Sequence, residues 1–328
     1  MHMPNELLSV PVAGACFAVS AGGVGFACKA AEKNLSQEKI PLMGILGAFI
    51  FAAQMVNFPL PFGASGHLTG AVFLAIVLGP AAAAVVMTSV VIVQCLIFQD
   101  GGLLALGANI INLALLPSFL GHFIYRLIAP DRNAKVRVYS AAVAASCLSL
   151  IAAAALLSVE TALSGTLVVP FGTFLAAMCG IHLLIGIVEG IITAALLVYL
   201  VKARPDIFDG TPGTAAVNKK QFFVTASLAV FITAACLSLL ASEKPDGLEY
   251  SIAGGSSQKS VIKNESPAVE TAGRLHEKIA PMPDYTRKST DGKEHHISWT
   301  SVAGVTGSAV TMLGVWAAAQ LLRRRGVL

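Results

Sequence analysis

The chain begins Met-His, and these two residues offer three nitrogen atoms that can bind one metal ion together. The α-amine of Met1, the amide nitrogen of His2 and Nδ1 of its imidazole can close two fused chelate rings, leaving one in-plane position open. No basic residue precedes the first apolar run, so a cleaved secretory signal is not indicated and we expect the amine to stay free. The bulk of His2 should also protect Met1 from removal. A flexible terminus with an incidental histidine is the simpler alternative.

A second candidate ligand, His67, lies in the stretch NFPLPFGASGHLTG at residues 57–70. Its prolines and glycines predict an irregular backbone, which at membrane depth is tolerated only where it packs in protein or lines a polar cavity. We expect His67 to stand at the start of a short helix, on the same side of the membrane as Met1, where it could supply a fourth nitrogen. An interfacial histidine bonded only to backbone is the alternative.

Four nitrogens in a square suit Ni(II) or Cu(II), and a fifth or sixth donor extends such a set toward Co(II). Zinc prefers a tetrahedral arrangement and fits less well. The residues at the start of the chain and in the loop therefore predict a site for a divalent transition metal.

A third polar group lies in GIHLLIGIVEGIIT at residues 180–193. His182 and Glu189 are seven residues apart, two turns of a helix, and share one face. Ionisable groups inside an apolar helix are functional candidates, but we favour a packing role over direct metal ligation. Their expected neighbours are amides: Gln54, Gln94, Asn109 and Asn112. The HExxH, GxSxG and P-loop patterns are absent, so the motifs do not support an enzyme.

The elements that must position these residues are apolar helices. Of the 328 residues, 55% are hydrophobic and only 12% are charged, a composition outside the range of water-soluble domains. Alternation of period two is absent, which favours helices over strands. Eight stretches are long enough to cross a bilayer, and a ninth is short. In chain order the segments are Leu7 to Ala27, Ile40 to Val56, His67 to Leu78 (the short one), Ala81 to Phe98, Leu103 to Tyr125, Val138 to Val159, Phe174 to Val201, Phe222 to Leu240 and Ser301 to Leu322.

Basic residues predict how these segments are oriented. Of the 22 Lys and Arg residues, eight lie in the polar stretch 242–300, where acidic residues offset them. All others fall on one side of the membrane if all nine segments cross. By the positive-inside rule, the N-terminus and the stretch 242–300 are extracytoplasmic and the C-terminus is cytoplasmic.

The same pattern predicts an all-α membrane protein with two parts. Residues 1–202 form a seven-span helical bundle, and residues 203–220 form a cytoplasmic linker containing Pro, Gly and Thr. Residues 221–328 form a C-terminal two-span hairpin with a large extracytoplasmic loop at 242–300, whose middle has the composition of a weakly structured segment.

Four stretches together resemble one known family. They are the amino-terminal MHM, the loop FPLPFGASGHLTG, the run QDGGLLALGANIINLALL at residues 99–116, and GIHLLIGIVEGIITAALL. The resemblance is to the CbiM/NikM family, the substrate-capture (S) components of energy-coupling-factor (ECF) ABC transporters for cobalt or nickel. It covers residues 1–202. The hairpin, with KPDGLEY at 244–250, resembles the small N component (CbiN/NikN) of the same systems, here fused into one chain.

The resemblance implies a metal site and a set of partners. In the family, the ion is held by the free amino terminus, by the amide and side chain of the second residue and by the histidine of the SGH loop. These correspond to Met1, His2 and His67. Asn109, His182 and Glu189 are expected to support the ligands from nearby.

The implied activity is high-affinity uptake of Ni²⁺ or Co²⁺, with nickel favoured, into a bacterial or archaeal cell through the inner membrane. The implied partners are the ECF ATPase subunits, because this chain lacks a nucleotide-binding motif, and a transmembrane coupling (T/Q) subunit. The lipid bilayer is the other expected partner, and no nucleic acid is expected. The alternative is an ATP-independent secondary carrier or channel for divalent metal ions.

Overall fold

A computed structural model describes residues 1–33, 35, 37, 39–130, 135–209, 218–254, 266–286 and 296–326. In the amino-terminal part the helices are α1 Val10–Glu32, α2 Lys39–Gln54, α3 Ala71–Leu78, α4 Pro80–Phe98, α5 Leu106–Asn109, α6 Leu116–Ile128, α7 Lys135–Ser164, α8 Phe171–Ala203 and α9 Asp206–Asp209. A π-helical turn at Ile110–Leu115 joins α5 to α6. In the carboxy-terminal part the helices are α10 Lys219–Ala235, α11 Gly247–Ile252, α12 Pro267–Ile279 and α13 His296–Gly326.

The described residues contain seven helices long and apolar enough to cross a membrane. They are α1, α4, the combined α5–α6 unit, α7, α8, the unit of α10 with its following turn, and α13. Helix α2 is apolar but has only 16 residues, and α3 has eight. The chain is therefore a predominantly helical, multi-pass membrane protein, as the composition predicted.

Small residues let the helices of the bundle approach closely. On α8, a side chain at Gly186 or Gly190 would overlap the backbone of α7 at Cys147 or Val143. Within a bilayer, helix association relies on such close packing, because lipid tails are as apolar as the helix faces. The spacing of these glycines thus explains why α7 and α8 form an extensive pair.

The C-terminal helices pack against the amino-terminal bundle. Gly44 and Gly47 of α2 face Met312 and Val315 of α13. Helix α10 also contacts α2 and α13. As a result α2 is buried along almost its whole length, although it is shorter than a typical spanning helix.

The loop between α2 and α3 is an irregular hairpin. Two-residue strands β1 (Phe58–Pro59) and β2 (Ser65–Gly66) pair in antiparallel fashion, and Phe62 and Gly63 turn the chain with positive φ angles of 66° and 88°. The sequence predicted that the short helix would start at His67. Helix α3 starts at Ala71 instead, because Gly70 adopts a left-handed conformation with φ of 75°. His67 therefore lies in the segment between β2 and α3, ahead of the helix.

The polar stretch 242–300 is partly helical. It contains α11, α12, a 3-10 turn at Pro283–Tyr285 and the first residues of α13. The segment predicted to be weakly structured includes residues 255–265, which lie outside the described part of the chain, as do residues 287–295 and most of the predicted linker, 210–217.

Candidate metal centre

The first five residues are pinned inside the bundle by polar contacts. The side-chain amide of Asn109 accepts from the backbone N–H of Met3 (2.8 Å) and donates to the carbonyl of Met3 (3.0 Å). Gly102 N–H also donates to the Met3 carbonyl (2.8 Å), and the Leu104 N–H donates to Oδ1 of Asn5 (2.7 Å). These bonds satisfy buried backbone groups and fix the direction in which the terminus runs. The amino-terminal segment is therefore held in a defined position in the bundle.

This placement brings the terminal amine to the predicted histidine of the loop. The Met1 nitrogen lies 3.1 Å from Nε2 of His67, although 66 positions separate the two residues in the chain. Both residues are buried, at 4% and 8% exposure. Nδ1 of His67 lies 3.1 Å from the carbonyl of Leu68, to which it can donate, and this leaves the Nε2 lone pair directed at Met1.

The ring of His2 lies beside that of His67 and has two partners of its own. The ring centroids are 5.4 Å apart and the planes are nearly parallel. Nδ1 of His2 lies 3.1 Å from Oδ1 of Asp100, and Nε2 lies 3.1 Å from Oε1 of Gln94. The structure thus brings Met1, His2 and His67 together, with the predicted donor atom Nδ1 turned to Asp100.

A chain of hydrogen bonds runs from His2 to the residues just before α3. Gln94 Nε2 donates to Oε1 of Gln54 (2.7 Å), and Gln54 Nε2 donates to the carbonyl of Thr69 (2.7 Å). Glu189 then accepts from the Thr69 N–H (2.6 Å), the Thr69 hydroxyl (2.8 Å) and the Gly70 N–H (3.2 Å). Glu189 therefore caps the start of α3 and holds the loop two residues after His67.

The remaining predicted residues divide between the site and the packing around it. His182 is buried, with Nδ1 2.7 Å from the carbonyl of Met178, and its ring lies against Gly247. Asn109 makes two hydrogen bonds to the backbone of Met3, as described above. Asn112 donates to the buried carboxyl of Glu160 (2.7 Å).

Sequence reasoning missed three polar residues at this site. Asp246 Oδ2 lies 3.3 Å from the Met1 nitrogen, and the Tyr285 hydroxyl donates to Oδ2 of Asp100 (2.5 Å). Asp246 and Tyr285 belong to the polar stretch 242–300, more than 175 positions from the residues that they meet. Asp246 was visible only as part of KPDGLEY, a stretch that carries no metal-ligand spacing, so its location could not be inferred.

Burial and charge set the ionisation of the groups around the amine. Burial, opposed by Asp100, lowers the pKa of His2 below its ordinary value. Burial, the terminal ammonium and His2 all lower the pKa of His67. Burial is the largest effect on Asp246 and raises its pKa, but the terminal ammonium, the hydrogen bond from the Glu249 N–H and the neighbouring imidazoles together outweigh it and lower the pKa of this carboxyl. Both imidazoles are thus neutral near pH 7, the form that binds metals.

A polar cavity of about 480 Å³ adjoins the two histidines. Its lining includes His2, His67, Asp100, Asp246 and Tyr285. Among the described residues, no group of three or more His, Cys, Asp or Glu side chains is placed to hold one metal ion. The geometry also offers the terminal amine of Met1 as a nitrogen donor beside this cavity.

Comparison with known proteins identifies the family. Residues 2–207 match the family model for CbiM, described as a cobalt uptake substrate-specific transmembrane region. The chain belongs to the CbiM family. Residues 220–324 match a second family model, the PDGLE domain. The chain thus joins a CbiM part to a PDGLE part, and the resemblance seen in the sequence is confirmed.

Relatives of both architectures exist. The chain is 32% identical over 314 residues to a putative fused nickel transport protein NikMN of Archaeoglobus fulgidus, covering 95% of this chain and 96% of the relative. The CbiM part alone is 36% identical to a putative metal transport protein of Haloquadratum walsbyi, covering 63% of this chain and 93% of the relative. A crystal structure described as a truncated transition metal transporter matches 61% of this chain and 98% of its own, with 34% identity and a TM-score of 0.55.

Proposed function

We propose that this protein captures Ni²⁺ or Co²⁺ outside the cell and is the substrate-binding membrane component of an ECF-type ABC transporter. The observation that carries the proposal is the 3.1 Å separation of the buried Met1 nitrogen and Nε2 of His67. Two nitrogens bound to one ion at right angles, each about 2.0–2.1 Å from it, are about 2.9 Å apart. The amine and the imidazole are therefore close to the spacing of two neighbouring ligands.

In the proposed site, Met1, His2 and His67 hold the ion. The amine, the His2 amide and Nδ1 of His2 supply three nitrogens, and His67 Nε2 supplies the fourth. Because Nδ1 of His2 contacts Asp100 in this structure, capture through Nδ1 requires this ring to exchange the carboxylate for the ion. Asn109 and Glu189 support the site by holding the terminal segment and the loop of His67, respectively. His182 supports the site by packing against Gly247, the residue that follows Asp246.

A nitrogen-rich donor set favours nickel over cobalt by a modest margin in the ordinary order of metal affinities. The names of fused relatives from Archaeoglobus fulgidus and Rhodobacter capsulatus refer to nickel, and that of a Methanococcus voltae relative refers to cobalt. We therefore propose nickel as the preferred ion and cobalt as a second substrate.

The proposed cycle needs other subunits. Partner ATPase subunits supply the energy, and a transmembrane coupling subunit transmits it to the CbiM part so that the ion is released inward. The proposed orientation, with Met1 outside and the C-terminus in the cytoplasm of a bacterial or archaeal cell, rests on the placement of Lys and Arg. It puts the polar cavity on the side from which the ion arrives.

Metal uptake in cells tests this proposal against an ATP-independent carrier. Radioactive nickel and cobalt uptake would be measured in cells that express the chain with its ATPase and coupling partners, with ATPase-inactive partners, or alone. We expect uptake only with active partners, and its loss in His67→Ala. Unchanged uptake by the chain alone would contradict the proposal and favour a carrier or channel.

A further inference from the structure

We propose that Asp246 of the PDGLE part supplies a carboxylate oxygen to the captured ion, outside the plane of the nitrogen donors. This inference rests on the proposed function, because it adds a donor to the same site. It differs in that the new ligand comes from a separate part of the chain, beyond the residues that match the CbiM family model.

The position of the carboxylate is the first observation. Asp246 Oδ2 lies 3.3 Å from the Met1 nitrogen, close to the 3.1 Å that separates this nitrogen from His67 Nε2. Ligands at neighbouring corners of an octahedron are about 2.9 Å apart when each bond is about 2.0–2.1 Å. The amine thus has two candidate neighbours at similar distances, one imidazole nitrogen and one carboxylate oxygen.

The two carboxylate oxygens of Asp246 make different contacts. Oδ1 accepts from the N–H groups of Leu248 and Glu249, both at 2.8 Å, and so caps the start of α11. The Glu249 side chain completes a capping box by accepting from the Asp246 N–H (3.1 Å). With Oδ1 engaged in the cap, the side-chain rotation is fixed and Oδ2 points to the amine.

The backbone around Asp246 is joined to the loop of His67. Ser65 N–H donates to the carbonyl of Pro245, and the Ser65 hydroxyl donates to the carbonyl of Lys244, both at 2.7 Å. Gly247 packs so closely on Ile181 and His182 that a side chain at this position would collide with Ile181. The carboxylate and His67 are therefore positioned by one connected structure, as donors to one ion need to be.

The other carboxylate near the amine does not have this geometry. Asp100 directs Oδ1 to the His2 ring and accepts from the Tyr285 hydroxyl with Oδ2. Asp246 alone contacts the Met1 nitrogen among the described carboxylates. An oxygen donor here would convert a planar set of four nitrogens into a five-coordinate one, which extends the site toward Co(II). Its charge would offset part of that of the dication.

The test is nickel K-edge absorption spectroscopy on the purified full-length protein loaded with Ni(II). A planar, axially open ion gives an intense pre-edge feature that an axial ligand weakens. We expect this feature to be weak in the wild type and to become intense in Asp246→Asn and in Asp246→Ser. Both replacements preserve an N-cap for α11, so the fold should be retained.

The matched control is Glu249→Gln, which alters the other half of the capping box and leaves Oδ2 of Asp246 in place. We expect its spectrum to match that of the wild type.

Competition between Ni(II) and Co(II) is a second measurement. Asp246→Asn should lower the affinity for Co(II) relative to Ni(II) by about tenfold, the smaller end of the range seen when groups around a metal site are changed.

Two results would overturn the inference in distinguishable ways. If the wild type and Asp246→Asn both show the intense feature, nickel is captured but Asp246 only accepts a hydrogen bond from the bound amine. If the wild type binds no nickel at all, the proposed function fails, and the inference fails with it.

Discussion

At the scale of single residues, the site depends on groups that hold the ligands from behind. Glu189 is the strongest example, because its buried carboxyl accepts bonds from two successive backbone N–H groups, those of Thr69 and Gly70. Those groups immediately precede Ala71, the first residue of α3, and have no partner within the helix. The loop that carries His67 is thereby tied to the middle of α8.

Replacement of Glu189 by Gln should loosen this loop. The amide has one acceptor oxygen, so a buried donor at Thr69 or Gly70 loses its partner, which costs about 1–3 kcal/mol. We expect a lower thermal unfolding midpoint and weaker nickel binding, measured on detergent-solubilised protein. Glu270→Gln is the control, since Glu270 is 65% exposed and pairs with the exposed Arg274. Equal midpoints for both variants would show that Glu189 has no positioning role.

A pH effect is expected at Tyr285. Burial and the neighbouring Asp100 raise the pKa of this phenol above its ordinary value near 10. Because the pKa of Tyr285 is raised only in the folded state, the contribution of this residue to the free energy of unfolding is fully present below pH 10. It is lost as the pH rises further. Tyrosinate absorbance of the wild type minus that of Tyr285→Phe should therefore stay near zero at pH 10 to 10.5. A normal ionisation in this difference spectrum would contradict the contact with Asp100.

The residues of the site were predictable only where their chemistry is local. Met1 and His2 form a chelating pair by adjacency, and His67 is marked by its Gly-rich loop, so residue types alone suggested them. Asp246 and Asp100 were not predictable, because nothing in single-sequence spacing links position 1 to position 246 or position 2 to position 100. Side-chain direction was also out of reach, as the contact of Nδ1 of His2 with Asp100 demonstrates.

At the scale of elements, hydropathy predicted the helices well because the bilayer forces apolar stretches into helices. The start of α3 was misplaced by four residues, since the turn at Gly70 depends on a conformation that glycine permits but does not require. The helices α11 and α12 were not predicted at all. Helix α11 has only six residues, and α12 is a 13-residue amphipathic helix within a stretch whose overall composition is polar.

The docking of α13 against the bundle yields a prediction with a control on the same helix. A side chain at Gly307 would overlap the rings of Phe51 and Phe98, whereas a Cβ at Gly314 meets nothing within 4 Å. We expect Gly307→Leu to destabilise the protein by about 1–3 kcal/mol through overpacking. Gly314→Leu should be close to neutral. The comparison is made by thermal unfolding in detergent, and equal effects of the two variants would contradict the observed packing.

At the scale of the whole molecule, the chain places its two parts around one site. The amino terminus and the loop of His67 come from the CbiM part, whereas Asp246 and Tyr285 come from the PDGLE part. Fusion in one chain keeps these parts at a fixed ratio and at high effective concentration. The boundaries predicted for the bundle, the linker and the hairpin, at 202 and 220, remain a prediction about how the two parts divide.

The central claim is that the free amine of Met1 binds the ion, and metal content measures this most directly. The protein would be purified with its native start and with two extra residues before Met1, and bound nickel and cobalt would be determined by elemental analysis. A tag after Leu328 serves as the control in both preparations. The account predicts about one metal ion per chain with the native start and almost none with the extension. Equal loading of the two preparations would contradict it.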